Sequence, residues 1–211
     1  DVAQVAVLKG PQGTLFGRNA TGGVMQLTTR EPTRDLGVEF RPELDNYLTS
    51  RNFLYLTDGF GDNVASNLSL KYTTQQDGWG DNLANGDDIH RIDHEYSIRN
   101  KWLFNVSDAT TVKLNLDYTN QLNSLGANLR PVPGTLTFMP GFPANADDYD
   151  AASYRTNRND SYNGGASLTV DHNFDVARLV SISAYRKYKF STIFAPSATP
   201  IPGFDIEFSQ W

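Results

Sequence analysis

Polar and apolar residues alternate with a period of two over most of the chain. The clearest segment is 111–119, where Val112, Leu114 and Leu116 share one face and Lys113 and Asn115 lie on the other. This period is typical of β-strands with one apolar face, and no segment shows a helical period of any length. The pattern predicts an all-β, antiparallel fold of about seven strands. The segments are 36–44, 52–58, 64–74, 95–106, 111–119, 162–172 and 178–190.

The connections between these segments alternate in length. Residues 59–63, 107–109 and 173–176 form short turns, whereas 75–94 and 121–160 are long. Short turns at one end and long loops at the other are typical of transmembrane β-barrels, whose strands need about 9–11 residues to cross a bilayer. A water-soluble sandwich shows the same alternation with its apolar face turned inward, so alternation alone leaves both architectures open.

The aromatic residues and one arginine bear on the membrane interpretation. Aromatic side chains collect near the predicted strand ends, as interfacial girdles require: Tyr72, Trp102, Tyr118, Tyr162, Tyr188 and Phe190. Arg186 alternates in phase with Val180, Ile182 and Ala184, which we expect to face lipid. An arginine on that face costs about 2–4 kcal/mol at the bilayer midplane and about 0–1 near the interface, where Arg186 is expected to lie.

Composition narrows the function classes. The 211 residues are 39% hydrophobic with a mean hydropathy of -0.46, and no run approaches the ~18 apolar residues of a membrane helix. The net charge of -6 argues against nucleic acid as a partner, because phosphate binding needs clustered Lys and Arg. The absence of cysteine excludes disulfides and thiol catalysis. Only 5 of the 24 acidic residues are Glu, which favours turn-rich β-structure over helix.

Candidate chemistry is sparse. Two acidic clusters could hold a cation, but solvated loop charge is the preferred interpretation of both. The first combines His90 and His94 with Asp87, Asp88 and Asp93, and the second consists of Asp147, Asp148 and Asp150. No His-Glu-x-x-His motif or catalytic triad is present, and the glycine spacing matches neither a dinucleotide fingerprint nor a P-loop. The sequence therefore predicts no catalytic residue, metal or cofactor, and no enzyme.

The first 33 residues are richer in glycine than the rest. Residues 5–32 read VAVLKGPQGTLFGRNATGGVMQLTTREP. This run resembles the C-terminal part of the plug domain of TonB-dependent outer-membrane receptors, whose pattern is V-x-V-L-[RK]-G-P-x-G-x-L-[FY]-G, a small-residue turn ending in G-G, and T-[RK]-x-P. The structural motif residues that we assign to the plug are Gly10, Pro11, Gly13, Gly17, Arg18, Gly22 and Gly23.

The resemblance implies a domain organisation and a function. Residues 1–33 would form the C-terminal part of the plug and residues 34–211 the N-terminal part of a transmembrane β-barrel, and we expect both ends to lie inside a longer chain. The implied function is active uptake of a scarce nutrient, foremost a ferric siderophore, across the bacterial outer membrane. The implied partners are outer-membrane lipid, the ligand and the inner-membrane TonB complex, which would act through a segment outside these residues.

Alternatives remain within and outside this family. The ligand could instead be haem, cobalamin or a saccharide, and the loops 75–94 and 121–160 are expected among its contacts. A soluble all-β binding module is the alternative from another class. The plug charges Lys9, Arg18, Arg30 and Arg34 are expected either to meet acidic side chains of the barrel interior or simply to be solvated. Arg18 is the first candidate for a contact that locks the plug to the barrel.

Overall fold

The structure is a computed structural model that describes residues 1–128, 148–195, 201–203 and 206–210; most of these are in β-strands, with one short helix. The elements are β1 (Val2–Lys9), α1 (Gly13–Phe16), β2 (Gly23–Thr29), β3 (Gly37–Asp45), β4 (Thr49–Phe60), β5 (Val64–Gln75), β6 (Gly80–Asn82), β7 (Asp87–Ile89), β8 (Ile92–Ser107), β9 (Thr110–Asn123), β10 (Arg158–Phe174), β11 (Ala177–Phe194) and β12 (Ile206–Gln210). No helix in the described ranges is long and apolar enough to span a membrane.

One large antiparallel sheet dominates the fold. Its eight strands follow the order β12-β11-β10-β9-β8-β5-β4-β3, so each strand lies beside its sequence neighbour apart from an inserted β6–β7 hairpin. Strands β1 and β2 form a separate two-stranded sheet, the β1–β2 hairpin. Strands β3 and β12 are open edges, so the large sheet does not close, as expected for part of a barrel. The predicted all-β, antiparallel fold is confirmed.

The two faces of the sheet differ in chemistry. Directly opposed residues of antiparallel strands share a face, and Leu114 of β9 opposes both Trp102 of β8 and Leu168 of β10. We call this side the apolar face; its Leu44 is 86% exposed. We call the opposite side the polar face. Its members include Glu39, Arg41, Arg51, Tyr55, Asn67, Lys71, Arg99, Lys101, Lys113 and Asp117.

The register of β11 contradicts one prediction from the sequence, namely which of its side chains face lipid. Ile182 opposes Thr169 and Arg186 opposes Gly165, both on the polar face, so the predicted lipid-facing set of Val180, Ile182, Ala184 and Arg186 is wrong. The cause is the turn: Phe174 pairs with Ala177 across two residues, and a shift of one residue would exchange the faces of the whole strand. The same register places Tyr188 and Phe190 on the polar face, away from the expected girdle.

Arg186 instead makes a contact along the polar face. Its Nη1 and Nη2 donate to the two carboxylate oxygens of Asp117 at 3.0 and 2.7 Å, across the intervening strand β10. Gly165 lies between the two side chains and leaves the space over which the guanidinium extends. Any larger residue there would also crowd the neighbouring strand, because a Cβ on Gly165 would lie 2.5 Å from the carbonyl oxygen of Tyr185.

The aromatic side chains of the apolar face form two groups. Near the short turns, Trp102 stacks on Phe60 with ring centroids 5.5 Å apart. Near the long loops, Tyr118 lies 6.0 Å from Tyr96 and 6.4 Å from Tyr162. From Tyr96 to Phe104, about eight residues at ~3.3 Å and ~40° tilt span about 20 Å, close to the ~25 Å apolar band of outer-membrane barrels. This spacing is compatible with one aromatic girdle at each membrane interface.

Candidate functional site

The candidate site is the contact between the first 34 residues and the polar face of the sheet. After β2 the chain runs through residues 29–34, which we call the junction segment, before it enters β3. Pro32 at its centre is buried, although its neighbours Glu31 and Thr33 are exposed. Because proline has no backbone N–H, it can be buried at this point without leaving a donor unpaired. The junction segment therefore lies tightly against the sheet.

Lys101 of β8 binds the start of the junction segment. Its Nζ donates to the carbonyl oxygen of Thr29 at 3.1 Å and to Oε1 of Glu31 at 3.1 Å, and the whole residue is only 7% exposed. The other carboxylate oxygen of Glu31 lies 3.0 Å from Nζ of Lys113 on β9. One carboxylate thus bridges two neighbouring strands, through a shielded lysine and a more exposed one.

The charges around Glu31 determine its protonation. Burial by itself would raise the pKa of the Glu31 carboxyl, but hydrogen bonds from Lys113 and Lys101, together with their positive charges, hold that pKa below its ordinary value. The carboxylate form of Glu31 is therefore favoured at neutral pH.

Asn67 of β5 binds the next residue of the junction segment. Its Nδ2 donates to the carbonyl oxygen of Arg30 at 3.1 Å and to the Tyr55 hydroxyl at 3.1 Å, and Asn67 is 2% exposed. The Arg30 guanidinium lies 5.0 Å from the centre of the Tyr55 ring and donates to Glu39 at 2.6 Å. Backbone and side chain of Arg30 are thus both held by the polar face.

Strand β4 binds the end of the junction segment. The Thr33 N–H donates to Oγ1 of Thr57 at 2.9 Å, and the Gly59 N–H donates to the carbonyl oxygen of Arg34 at 3.1 Å. A Cβ on Gly59 would lie 2.8 Å from that same oxygen, so only glycine permits this approach. The hydrogen bonds from β4, β5 and β8 therefore hold the junction segment from Thr29 to Arg34.

A cavity of about 310 Å³ opens beside this contact on the polar face. Four cationic side chains line it: Arg41, Arg51, Lys71 and Arg99. Each of them already has an acidic partner, at 2.8, 2.6, 2.8 and 2.8 Å respectively. The cavity therefore offers paired charges and spare guanidinium N–H groups rather than an uncompensated positive surface. Such a lining suits a polar, hydrogen-bonding ligand or a wet channel wall.

The predicted plug motif forms the connection between β1 and β2. Gly10 and Gly17 have φ values of +83° and +82°, a backbone conformation that favours glycine, and a Cβ on Gly23 would lie 2.6 Å from the Leu8 carbonyl oxygen. Gly13 and Gly22 have open surroundings, so the space around them gives no reason for glycine. Pro11 lies in the same connection and is exposed. The structural role of the motif as a plug element stays a prediction.

The four charged side chains that were expected to contact the barrel interior differ in whether they form ion pairs. Arg30 meets an acidic side chain of the sheet, Glu39. Within the residues that the structure describes, Lys9, Arg18 and Arg34 form no ion pair. The proposed lock through Arg18 therefore has no partner among the described strands and stays a prediction for the rest of the barrel.

The described residues of the two acidic clusters are not arranged as a cation site. Arg91 occupies the first cluster, with its guanidinium 3.7 Å from Asp88 and 2.7 Å from Asp93. His94 points elsewhere and lies 2.8 Å from Oδ1 of Asn120. In the second cluster Asp147 lies outside the described residues. Among the residues that are described, no group of three or more His, Asp or Glu side chains could hold a metal.

Sequence reasoning missed the residues that hold the junction segment. Lys101, Asn67 and Thr57 all alternate onto the polar face, so their orientation was readable from the pattern. Nothing in a single sequence distinguishes them from the other polar residues of that face. Their partners are 24 to 72 residues away in the chain, and only the register of the folded sheet brings them together.

The fold and this site define a class of protein. The polar face holds a glycine-rich hairpin through the junction segment, and the apolar face is left open, as in the wall of an outer-membrane receptor barrel with a plug element against its interior. Among solved structures, the ferric-catecholate import receptor Fiu from Escherichia coli K12, in its open form, matches with a TM-score of 0.66. It is 19% identical, and the match covers 92% of this chain and 30% of that one.

Curated relatives agree with the structural match. The catecholate siderophore receptors Fiu of Escherichia coli O6:H1 and of Escherichia coli strain K12 are each 26% identical over 141 residues, which is 67% of this chain. The chain spans only 17% of the length of these relatives. No family model matches the chain.

In sequence and in fold, the chain is similar to part of a catecholate siderophore receptor. This relationship confirms the resemblance found in the glycine-rich run and the predicted bacterial outer-membrane localisation. The relatives are receptors and not enzymes, in agreement with the prediction.

Proposed function

We propose that the intact protein takes up a ferric siderophore across the bacterial outer membrane, driven by the inner-membrane TonB complex. In this proposal residues 1–33 are the C-terminal part of the plug and residues 34–211 the N-terminal part of the barrel. The ligand class follows the relatives, whose names specify catecholate siderophores. A ferric catecholate complex is anionic and rich in acceptor oxygens, so the spare guanidinium N–H groups of Arg41, Arg51 and Arg99 are suitable donors.

One observation carries this proposal: the covered face is the polar one. In a soluble sandwich the apolar face would be packed against protein and the polar face would meet water. Here the junction segment is bound to the polar face, while Val38, Phe40 and Leu44 of the apolar face are all more than half exposed. Such a band of exposed apolar side chains is favourable in lipid and unfavourable in water. The soluble binding module is accordingly disfavoured.

Uptake by the full-length receptor tests the proposal. The gene is deleted in its natural host and restored on a plasmid, and cells are grown under iron limitation. Uptake of radioactive iron is then measured for a catecholate complex, a hydroxamate complex and haem. We expect catecholate uptake only in the restored strain, and only when TonB is present. Equal uptake with and without the gene would refute siderophore transport. A preference for haem would mean that haem, rather than a ferric siderophore, is the ligand.

A further inference from the structure

We propose that Lys101 and Asn67 are positioning residues for transport, which fix the junction segment to the barrel wall so that plug movement stops there. This inference rests on the proposed function. It divides the first 34 residues into a movable part, residues 1–28, and a fixed part, the junction segment. The junction segment would then be the hinge beyond which a pulling force on residues 1–28 moves nothing further.

The two parts are attached to the sheet very differently. The junction segment gives the sheet the carbonyl oxygens of Thr29, Arg30 and Arg34 as acceptors and the N–H of Thr33 as a donor. Among the described residues, the hydrogen bonds and ion pairs from residues 1–28 to the sheet are those of Asp1 with Arg99. The fixed part is therefore the segment with many contacts.

Burial makes the contacts of the fixed part costly to separate. Lys101 and Asn67 are 7% and 2% exposed, and their side-chain nitrogen atoms point into the junction segment. If the segment left the wall, a shielded ammonium and a shielded amide would lose their acceptors together, which is the costly way to break a polar contact. The outward side chains of the hairpin, such as Met25 and Leu27, are 67% and 61% exposed. Among the described residues, movement of residues 1–28 would separate one ion pair from the sheet, that of Asp1 with Arg99, whose side chains are 10% and 34% exposed.

The first test is a disulfide across the fixed contact in the full-length receptor. Thr33 and Thr57 are suitable because their Oγ1 atoms lie 3.3 Å apart, which brings the two Cβ atoms close to disulfide range. With Thr33→Cys and Thr57→Cys, we expect the same catecholate uptake before and after oxidation, because the junction segment does not move. Loss of uptake on oxidation, restored by a reductant, would overturn the inference. Absence of uptake by the receptor without the two cysteine substitutions, measured in parallel, would instead refute the proposed transport function.

The second test removes the positioning residues. In the double variant Lys101→Met and Asn67→Ala, TonB should pull the junction segment off the wall and open the channel. We expect vancomycin, which the outer membrane normally excludes, to enter about tenfold faster when TonB is active, corresponding to about 1.4 kcal/mol. Adding the oxidised Thr33–Thr57 cysteine pair should close this leak. Asn115→Ala on the same face and Lys187→Met on the exposed β11 are the matched controls and should not leak.

A purely structural role gives a different pattern. If the double variant leaks equally without TonB, or if the disulfide leaves the leak unchanged, Lys101 and Asn67 only help the barrel to assemble and the inference is wrong. A double variant without any leak would also overturn it.

Discussion

Replacing Lys101 by methionine isolates the central contact of the junction segment. Methionine keeps the length and apolar stem of the side chain but removes the ammonium that donates to Thr29 and Glu31. Because the side chain of Lys101 is only 9% exposed, water can replace the lost donor only in part. Glu31 keeps its second partner, Lys113.

The size of the effect follows from burial. Hydrogen bonds to charged groups contribute about 1.5–3 kcal/mol when shielded, so Lys101→Met should lower the free energy that keeps the junction segment closed by about that amount. Lys113→Met removes a contact to the same carboxylate, but the side chains of Lys113 and Glu31 are 42% and 49% exposed. An exposed pair contributes about 0.2–1 kcal/mol. The two lysines should therefore differ severalfold in their effect.

Hydrogen exchange of the full-length receptor measures this free energy. The Thr33 N–H, which donates to Thr57, reports opening of the segment. At about 1.4 kcal/mol per factor of ten, Lys101→Met should accelerate its exchange roughly 10- to 100-fold, and Lys113→Met about fivefold or less. Exchange in the middle of β9 serves as the internal control. Equal acceleration by both variants would refute the burial argument, and acceleration in β9 as well would indicate general destabilisation.

Three further predictions test other parts of the molecule. Leu114→Arg on the apolar face should cost about 2–4 kcal/mol of folding free energy in lipid, whereas Ser167→Arg on the polar face, opposite Asn115 and Ala184, should cost little; urea titrations in vesicles compare them, and equal effects would contradict a lipid-facing side. Gly165→Val should lower the urea midpoint by displacing β11 and Arg186, and an unchanged midpoint would contradict the close approach. Because the pKa of Glu31 is lowered, its contribution is complete above the ordinary value of about 4.3 and is lost only as pH falls through the lowered one. Protection of the junction segment, measured as the exchange rate relative to the intrinsic rate at each pH, should therefore stay constant from about pH 7 to 5 and then fall; a fall already at about pH 6 would contradict this sign.

Alternation predicted the faces of the sheet wherever successive strands kept one register. For β5, β8, β9 and β10 the apolar residues named from the sequence lie on one side, because their hydrophobic period and their pairing agree. It failed at β11, because the two-residue turn after Phe174 fixes the register there independently of the strand's own pattern. The face of a strand depends on turn length as well as on periodicity.

The candidate site was predictable only in part. The glycine-rich run marked the segment that contains the connection between β1 and β2. The residues that receive the junction segment were not identified, because a long-range hydrogen bond such as Asn67 to Arg30 leaves no local pattern. Which residues of the sheet bind the junction segment depends on the path of that segment across β8, β5 and β4. That path is a property of the assembled sheet.

Polar residues on the apolar face show why average hydropathy describes this fold poorly. Asn100 interrupts the apolar set of β8, yet its Nδ2 donates to the Asn67 carbonyl oxygen at 2.6 Å and its Oδ1 accepts the Trp102 Nε1–H at 2.6 Å. Ser66 completes the group by donating to the Lys101 carbonyl oxygen at 3.0 Å. Because these bonds are satisfied within the sheet, the group presents few free polar atoms to lipid. A membrane face is therefore defined by which polar atoms lack partners, and residue counts alone cannot supply that information.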